Sequence, residues 1–131
     1  MTVPTRELML KAFETGTLIL PFNIAYLPMM EPVMRALRDS RTFALIQVAR
    51  LEWEKFEAGG LRPVRDEYEK VKDERFTRLH LDHVPVLEED GLRVDFEPTI
   101  AEALRPGYGL SLIHISEPTR PLYISYAVFC L

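Results

Sequence analysis

The distribution of apolar and polar residues predicts that helices and strands alternate along this chain. Thr5 is a candidate cap for a first helix that Gly16 would close. Residues 17–24 predict a buried strand, in which Pro21 is a flaw because proline donates no ladder hydrogen bond. A second helix is expected to begin near Pro32. The apolar faces of these two helices would consist of Leu8, Met9, Ala12 and Phe13, and of Met30, Val33, Met34 and Leu37.

The middle of the chain predicts a second strand followed by a charged helical stretch. Residues 42–49 are mostly apolar and predict the strand. Residues 51–75 carry many charges and are interrupted by the glycine pair 59–60, which favours two helical pieces joined by a turn. We interpret the charges as a solvated surface and expect Trp53 and Phe56 to pack inward, with Trp53 lining a pocket as the alternative.

A third strand and a last helix complete the pattern. Residues 76–82 predict the strand, and Asp95 is a candidate cap for a helix that ends near Gly107. The apolar side of that helix would consist of Phe96, Ile100, Ala103 and Leu104. Near-continuously apolar strands that alternate with helices are typical of a parallel sheet covered by helices, so we predict the α/β class. No glycine-rich nucleotide-binding loop follows the first strand.

The composition of the chain excludes some classes of function but indicates none. The chain has 131 residues and a net charge of −4, which gives no indication of a nucleic-acid or anionic-membrane partner. Its most apolar window, residues 18–30, is too short to span a bilayer and contains two prolines. The N-terminus lacks the basic start and apolar core of a signal peptide, and the single cysteine, Cys130, cannot form an internal disulfide. We expect a cytoplasmic protein.

Polar residues follow each predicted strand, where chemistry gathers in α/β proteins. The first strand ends at Asn23, the second at residues 47–50, and the third in the sequence HLDH, with His80, Asp82 and His83. Imidazole is a natural zinc ligand, and a neighbouring carboxylate can orient it or move protons. A pair of histidines with ordinary hydrogen bonds at a strand end explains the same residues, and both interpretations remain open at this point.

The last 22 residues differ in character from the rest. Residues 110–131 resemble the translation of a transposase-type sequencing adapter, with LSLIHISEPTR and ISYAVFCL as its two constant blocks and three residues where the variable index lies. A natural edge strand is the alternative, because the first block alternates and is rich in β-formers. We expect residues 110–131 to be foreign to the protein, which excludes His114 and Cys130 as site candidates and makes residues 1–109 a fragment.

Residues 8–109 resemble the class II, zinc-dependent ketose-bisphosphate aldolase family. The resemblance rests on LKAFETGTLILPFNI, on LIQVA, and on RLHLDHVPV followed by a helix and GYG, in the family's order. It implies the N-terminal part, about three β/α units, of a TIM (β/α)₈ barrel. A complete barrel of this kind needs roughly 250 residues.

The resemblance also implies roles for four residues, and a fifth, Arg50, departs from the family pattern. His83 would be a zinc ligand, Asp82 the acid/base acting on the substrate hydroxyl, and His80 a supporting residue. Asn23 would contact substrate, and Arg50 could meet a phosphate or carboxylate where the family has a serine nearby. That serine is missing here, and a proline follows HLDH where glycine is commoner, which indicates a divergent subgroup.

The implied function is zinc-dependent cleavage or condensation of a phosphorylated ketose, of the fructose- or tagatose-bisphosphate type, to dihydroxyacetone phosphate and an aldehyde. Zn²⁺ would be the cofactor, a phosphorylated sugar the partner, and the complete enzyme a homo-oligomer. The alternatives are an inert truncated polypeptide and a divergent barrel protein without aldolase activity. A metal-dependent barrel hydrolase would normally show an H-x-H pair on an early strand, and a non-catalytic interaction module requires that His83 binds no metal.

Overall fold

A computed structural model describes residues 3–85, 88–89, 91–105, 107–109, 111–114 and 127–130. The helices are α1 (Thr5–Thr15), α2 (Met30–Ser40), α3 (Arg50–Glu54), α4 (Leu61–Val71) and α5 (Phe96–Leu104), with a 3₁₀ turn at Leu27–Met29. The strands are β1 (Leu20–Asn23), β2 (Ala44–Val48), β3 (Thr77–Pro85), β4 (Glu88–Glu89), β5 (Leu92–Arg93), β6 (Ser111–His114) and β7 (Ala127–Cys130). The predicted alternation of helices and strands is confirmed.

The main sheet has the strand order β1-β2-β3-β6-β7. β1, β2 and β3 are parallel to one another, β6 is parallel to β3, and β7 is antiparallel to β6. β4 and β5 form a separate antiparallel pair. The α/β class is therefore confirmed, as a small open sheet whose first three strands are parallel; the described residues do not form a closed barrel.

One face of the sheet is apolar and packs against α2 and α4. Ile46 at the centre of β2 is fully buried, as are Met34 of α2 and Val64 of α4. Because side chains alternate along a strand, the residues between these apolar positions point to the opposite face. The opposite face of the first three strands is therefore available for polar side chains.

Two expectations about burial are wrong at the N-terminal edge. α1 has no buried residue, and Phe13 is 86% exposed. All four residues of β1 are exposed, although we predicted a buried strand there. The reason is topological: among the described residues, β1 is an edge strand whose one neighbour is β2. An edge position also explains how Pro21 is accommodated, because no outer ladder needs its missing N–H.

Other local predictions are confirmed only in part: Thr5 as the cap of α1 and the inward packing of Phe56 are wrong. α1 ends at Gly16, whose φ of 63° is left-handed, but Pro4 and not Thr5 precedes it as the cap. Asp95 precedes α5 without a side-chain cap bond. Trp53 packs against the core as expected, whereas Phe56 is 62% exposed because α3 has already ended at Glu54. Among the described residues, no helix is long and apolar enough to cross a membrane.

β3 is longer than predicted. It extends to Pro85, so His83 lies within the strand and not just beyond it. The pairing of β3 with β6 shifts register between Leu81 and Val84. This irregularity places Asp82 and His83 in a segment where strict alternation of side chains does not apply.

Candidate functional site

Three polar residues are aligned across the parallel strands on the face opposite the helices. Asn23 of β1 is the register partner of Gln47 of β2, and Gln47 is the register partner of His80 of β3. Parallel strands in register place aligned residues side by side on one face. The sequence motif HLDH is thus joined to the ends of the two preceding strands. We call Asn23, Gln47, His80 and Asp82 the polar row.

A continuous chain of hydrogen bonds connects the polar row. The Asn23 Nδ2 donates to Asp82 Oδ2 at 2.8 Å. The Gln47 Nε2 donates to Asn23 Oδ1 at 2.7 Å. The Gln47 Oε1 lies 2.7 Å from His80 Nδ1. The chain runs from the buried His80 to the half-buried Asp82 near the end of β3.

Asp82 is held from two sides. Its Oδ2 accepts the Asn23 bond, and its Oδ1 accepts a hydrogen bond of 2.8 Å from the backbone N–H of His83. These contacts use both oxygens of the carboxylate and fix its plane. A carboxylate whose orientation is fixed can take or return a proton along a defined direction.

Sequence reasoning missed two members of this site. Gln47 was noted only as part of a polar strand end, although it is the central link of the chain. Glu52, in the first turn of α3, accepts a hydrogen bond from the backbone N–H of Ala49 and lies close enough to Asn23 for the amide to lower its pKa. A glutamate three residues after the N-cap position, here Ala49, is a recognisable signal of a helix start, and this signal could have identified Glu52.

The environment of Glu52 connects it to the rest of the site. Burial raises the pKa of Glu52, and the hydrogen bond from Ala49 and the nearby Asn23 amide oppose this effect. The negative charge of Asp82 also raises the pKa, whereas His83 lowers it. Asp82, Glu52 and His83 are therefore electrostatic neighbours at the same end of the sheet.

His80 is the most enclosed polar side chain of the row, with 4% of its surface exposed. Burial lowers its pKa to about 4, and the nearby Asp82 charge opposes this only in part. His80 is consequently neutral near pH 7. Its Nε2 is buried and has no hydrogen-bond partner among the described residues. This placement agrees with the predicted supporting role and leaves that role a prediction.

Arg50 lies at the start of α3, directly after the end of β2. Its side chain is largely buried and forms an ion pair with Glu54 at 3.9 Å. The predicted contact of Arg50 with a phosphate or carboxylate stays a prediction. Its position at the carboxyl end of the sheet is compatible with such a contact.

The fit of a zinc ion can be tested on the donors present. Within the described part of the chain, no group of three or more histidine, cysteine or acidic side chains could hold a metal ion. His83 is a suitable nitrogen donor, but structural and catalytic zinc sites use at least three protein ligands. The described residues therefore do not make a zinc site by themselves.

A surface cavity of about 370 Å³ lies elsewhere, between the start of α4 and α5. It is lined by Leu61, Arg62, Pro98, Ala101, Glu102 and Arg105. None of these residues belongs to the polar row. The convergent, hydrogen-bonded groups of the polar row make it the stronger candidate site.

No protein-family model, curated protein or solved structure matches this chain. The class that fold and site define is an α/β protein with a polar site at the carboxyl ends of parallel strands.

Proposed function

We propose that residues 1–109 are the N-terminal part of a class II aldolase, with about three β/α units of a (β/α)₈ barrel. The observation that carries the proposal is the bond of the Asn23 amide to the Asp82 carboxylate, which joins the carboxyl ends of β1 and β3. Catalytic groups in such barrels come from the ends of several strands at one face. The resemblance of the HLDH segment to the aldolase family supplies the reaction type.

Asp82 is the acid/base of the proposed reaction. It removes the proton of the substrate hydroxyl at the bond being cleaved and returns it in the condensation direction. Each carboxylate oxygen of Asp82 accepts one hydrogen bond, and these two bonds fix its orientation. Each oxygen also retains a further lone pair. Asp82 can therefore stay in position and still accept a proton.

His83 is the residue of this segment that would ligate zinc. When bound, the metal would polarise the ketose carbonyl. The remaining ligands would come from outside residues 1–109. The His83 side chain is half-buried and electrostatically close to Glu52.

Asn23 and Arg50 are the proposed substrate contacts. Asn23 is hydrogen-bonded to Asp82 and Gln47. Its amide retains one N–H and one oxygen lone pair, so it can contact a substrate while it still holds Asp82. Arg50 supplies the positive charge that a phosphorylated sugar requires at this end of the sheet.

The proposal has consequences for the molecule as a whole. Residues 110–131 would be adapter-derived, and the pairing of β6 with β3 would then follow from their alternating β-forming sequence. The complete enzyme would be a cytoplasmic homo-oligomer in carbohydrate metabolism. The 131-residue chain itself would be inactive, because the proposal places the remaining zinc ligands beyond residue 109. That inert polypeptide is the second candidate, together with a divergent barrel that has no aldolase role.

The first experiment is long-read resequencing of the source DNA across codon 109. We expect the reading frame to continue into a fourth strand and to supply further histidine and glutamate residues. The protein from the continuous frame is then assayed for zinc content and for cleavage of fructose and tagatose 1,6-bisphosphates. A genome that itself encodes LSLIHISEPTR would contradict the proposed origin of residues 110–131.

Variants of the continuous protein separate the proposed roles. Asp82→Asn should lower kcat by about 10²–10⁴-fold with zinc retained, as expected for loss of a general acid/base. His83→Ala should lose zinc. Arg35→Ala is the control, because its exposed ion pair with Glu31 is remote in sequence from the site. Absence of zinc and of aldol cleavage in the wild-type protein would refute the proposed function.

A further inference from the structure

The hydrogen bonds of the polar row have a fixed direction. An ionised carboxylate accepts hydrogen bonds and cannot donate them. The Asn23 amide is hydrogen-bonded to the carboxylate of Asp82, and the Glu52 carboxylate is its electrostatic neighbour. Its Nδ2 must therefore face this side, and its Oδ1 must face Gln47.

The orientation of the Asn23 amide determines which atoms donate and which accept at Gln47 and then at His80. The Asn23 Oδ1 needs a donor, and the Gln47 Nε2 provides it at 2.7 Å. The Gln47 Oε1 is then turned towards His80 Nδ1, again at 2.7 Å. Because an amide oxygen only accepts, the Nδ1 atom of His80 must carry a proton.

The neutral imidazole of His80 carries a single proton on one of its two ring nitrogens. The side chain is 4% exposed, and its burial keeps the ring neutral near pH 7. In a neutral imidazole, the hydrogen bond made by one nitrogen decides which nitrogen is protonated. The proton on Nδ1 leaves Nε2 with a lone pair.

We propose that the Asn23 and Gln47 amides are positioning residues that lock His80 as its Nδ1–H tautomer, while the same Asn23 amide keeps Asp82 oriented as a proton acceptor. Reversing either amide would bring two oxygens or two N–H groups face to face, and the other tautomer of His80 would set the Nδ1 lone pair against the Gln47 oxygen. The chain is therefore stable in one direction only. The use of Asp82 as a base rests on the proposed function, whereas the tautomer of His80 does not.

The tautomer can be measured on the full 131-residue chain without zinc or substrate. Long-range ¹H–¹⁵N correlation spectra at pH 7 distinguish protonated from unprotonated ring nitrogens, and a His80→Asn sample assigns the His80 signals. We expect His80 to show a protonated Nδ1 and an unprotonated Nε2. A neutral imidazole in water prefers the opposite tautomer, so the expected result is specific. A protonated Nε2, or the averaged signals of a free imidazole, would overturn the proposal.

A variant tests the role of the amides. Gln47→Leu removes the acceptor beside Nδ1, and His80 should lose its preference for the Nδ1–H tautomer. Arg35→Ala should leave the tautomer unchanged. Retention of the Nδ1–H form in a folded Gln47→Leu chain would contradict the positioning role. If Gln47→Leu fails to fold, the wild-type tautomer still decides the proposal. Failure of the aldolase assay with the expected tautomer would refute the proposed function and leave this inference standing.

Discussion

The Asn23 amide donates a hydrogen bond of 2.8 Å to the Asp82 carboxylate, although the two residues are 59 positions apart in the sequence. They meet because β1, β2 and β3 are parallel, which brings the carboxyl ends of the three strands to one edge of the sheet. The Asn23 side chain reaches past the intervening strand β2 to Asp82. It is also hydrogen-bonded to Gln47 of β2. The bond between Asn23 and Asp82 therefore depends on the order and direction of all three strands.

Removing the Asn23 amide should destabilise the fold. Asn23→Ala eliminates a hydrogen bond to a charged group and leaves the Gln47 amide without its acceptor. We expect the free energy of unfolding to fall by about 1–2 kcal/mol, limited by the exposure of Asn23. Urea denaturation measures the change. Arg35→Ala, which breaks an exposed ion pair of 3.9 Å, should cost less than about 0.5 kcal/mol and serves as the control. Equal effects of the two variants would contradict the structural role of Asn23.

The buried His80 should make stability depend on pH. Its folded pKa of about 4 lies below the ordinary value of 6.5, so the unfolded chain binds a proton over a range in which the folded chain does not. The contribution is fully present above pH 6.5 and is lost as the pH falls towards 4. Between pH 7.5 and pH 5 we expect a loss of about 2 kcal/mol from this residue. Denaturant titrations at both pH values measure it.

His80→Asn provides the comparison for this pH effect. Asparagine retains an N–H donor for the Gln47 oxygen but cannot be protonated. The decrease in stability between pH 7.5 and pH 5 should therefore be smaller in the variant, because carboxylate titration is common to both chains. Identical pH dependence in the two proteins would show that His80 is not buried in its neutral form.

The core centred on β2 should be sensitive to truncation. Ile46 is fully buried and has Phe22 and Leu79 as its register partners. Ile46→Ala should cost about 2–5 kcal/mol, because it removes buried methyl groups and leaves a cavity. Leu18→Ala is a matched control, since Leu18 is 81% exposed and should change stability by less than about 0.5 kcal/mol. Thermal or urea unfolding distinguishes the two, and a mild Ile46→Ala effect would contradict the described core.

Gly60 should resist substitution for a backbone reason. Its φ of 118° and ψ of 176° lie in a region that residues with a Cβ rarely adopt. A Cβ there would meet no atom closer than Pro63 Cδ at 3.7 Å, so the cost is strain and not a clash. Gly60→Ala should destabilise by about 1–3 kcal/mol. Gly109→Ala, at a glycine without positive φ, should be nearly neutral. Comparable losses in both variants would argue against strain at Gly60.

Local patterns predicted the elements well where packing agrees with periodicity. The spacing of Met30, Met34 and Leu37 identified the buried face of α2, and all three are buried. The exposure of β1 and of Phe13 could not be predicted, because apolar composition does not reveal that a strand lies at the edge of a sheet. Burial depends on neighbours distant in sequence, and periodicity carries no information about them.

The sequence predicted most of the residues of the site but not the hydrogen bonds that connect them. The polar strand ends indicated that Asn23 and Asp82 would lie at one edge of the sheet, and the structure places them in contact. The central position of Gln47 depends on the strand order and register, which no local motif encodes. Glu52 lies in the first turn of α3 and accepts a hydrogen bond from the Ala49 backbone N–H, so its place at the site depends on where that helix begins.

The alignment of Asn23, Gln47 and His80 also protects the sheet against misassembly. Side chains alternate with a period of two, so a slip of β2 by one residue would move Gln47 to the apolar face and bring buried Ile46 or Val48 into the polar row. Such a slip would leave Asn23 and His80 without their shared partner. The alternatives to the native register are thus penalised on both faces of the sheet at once. A network suited to chemistry at one edge thereby also selects the correct pairing of the strands that build it.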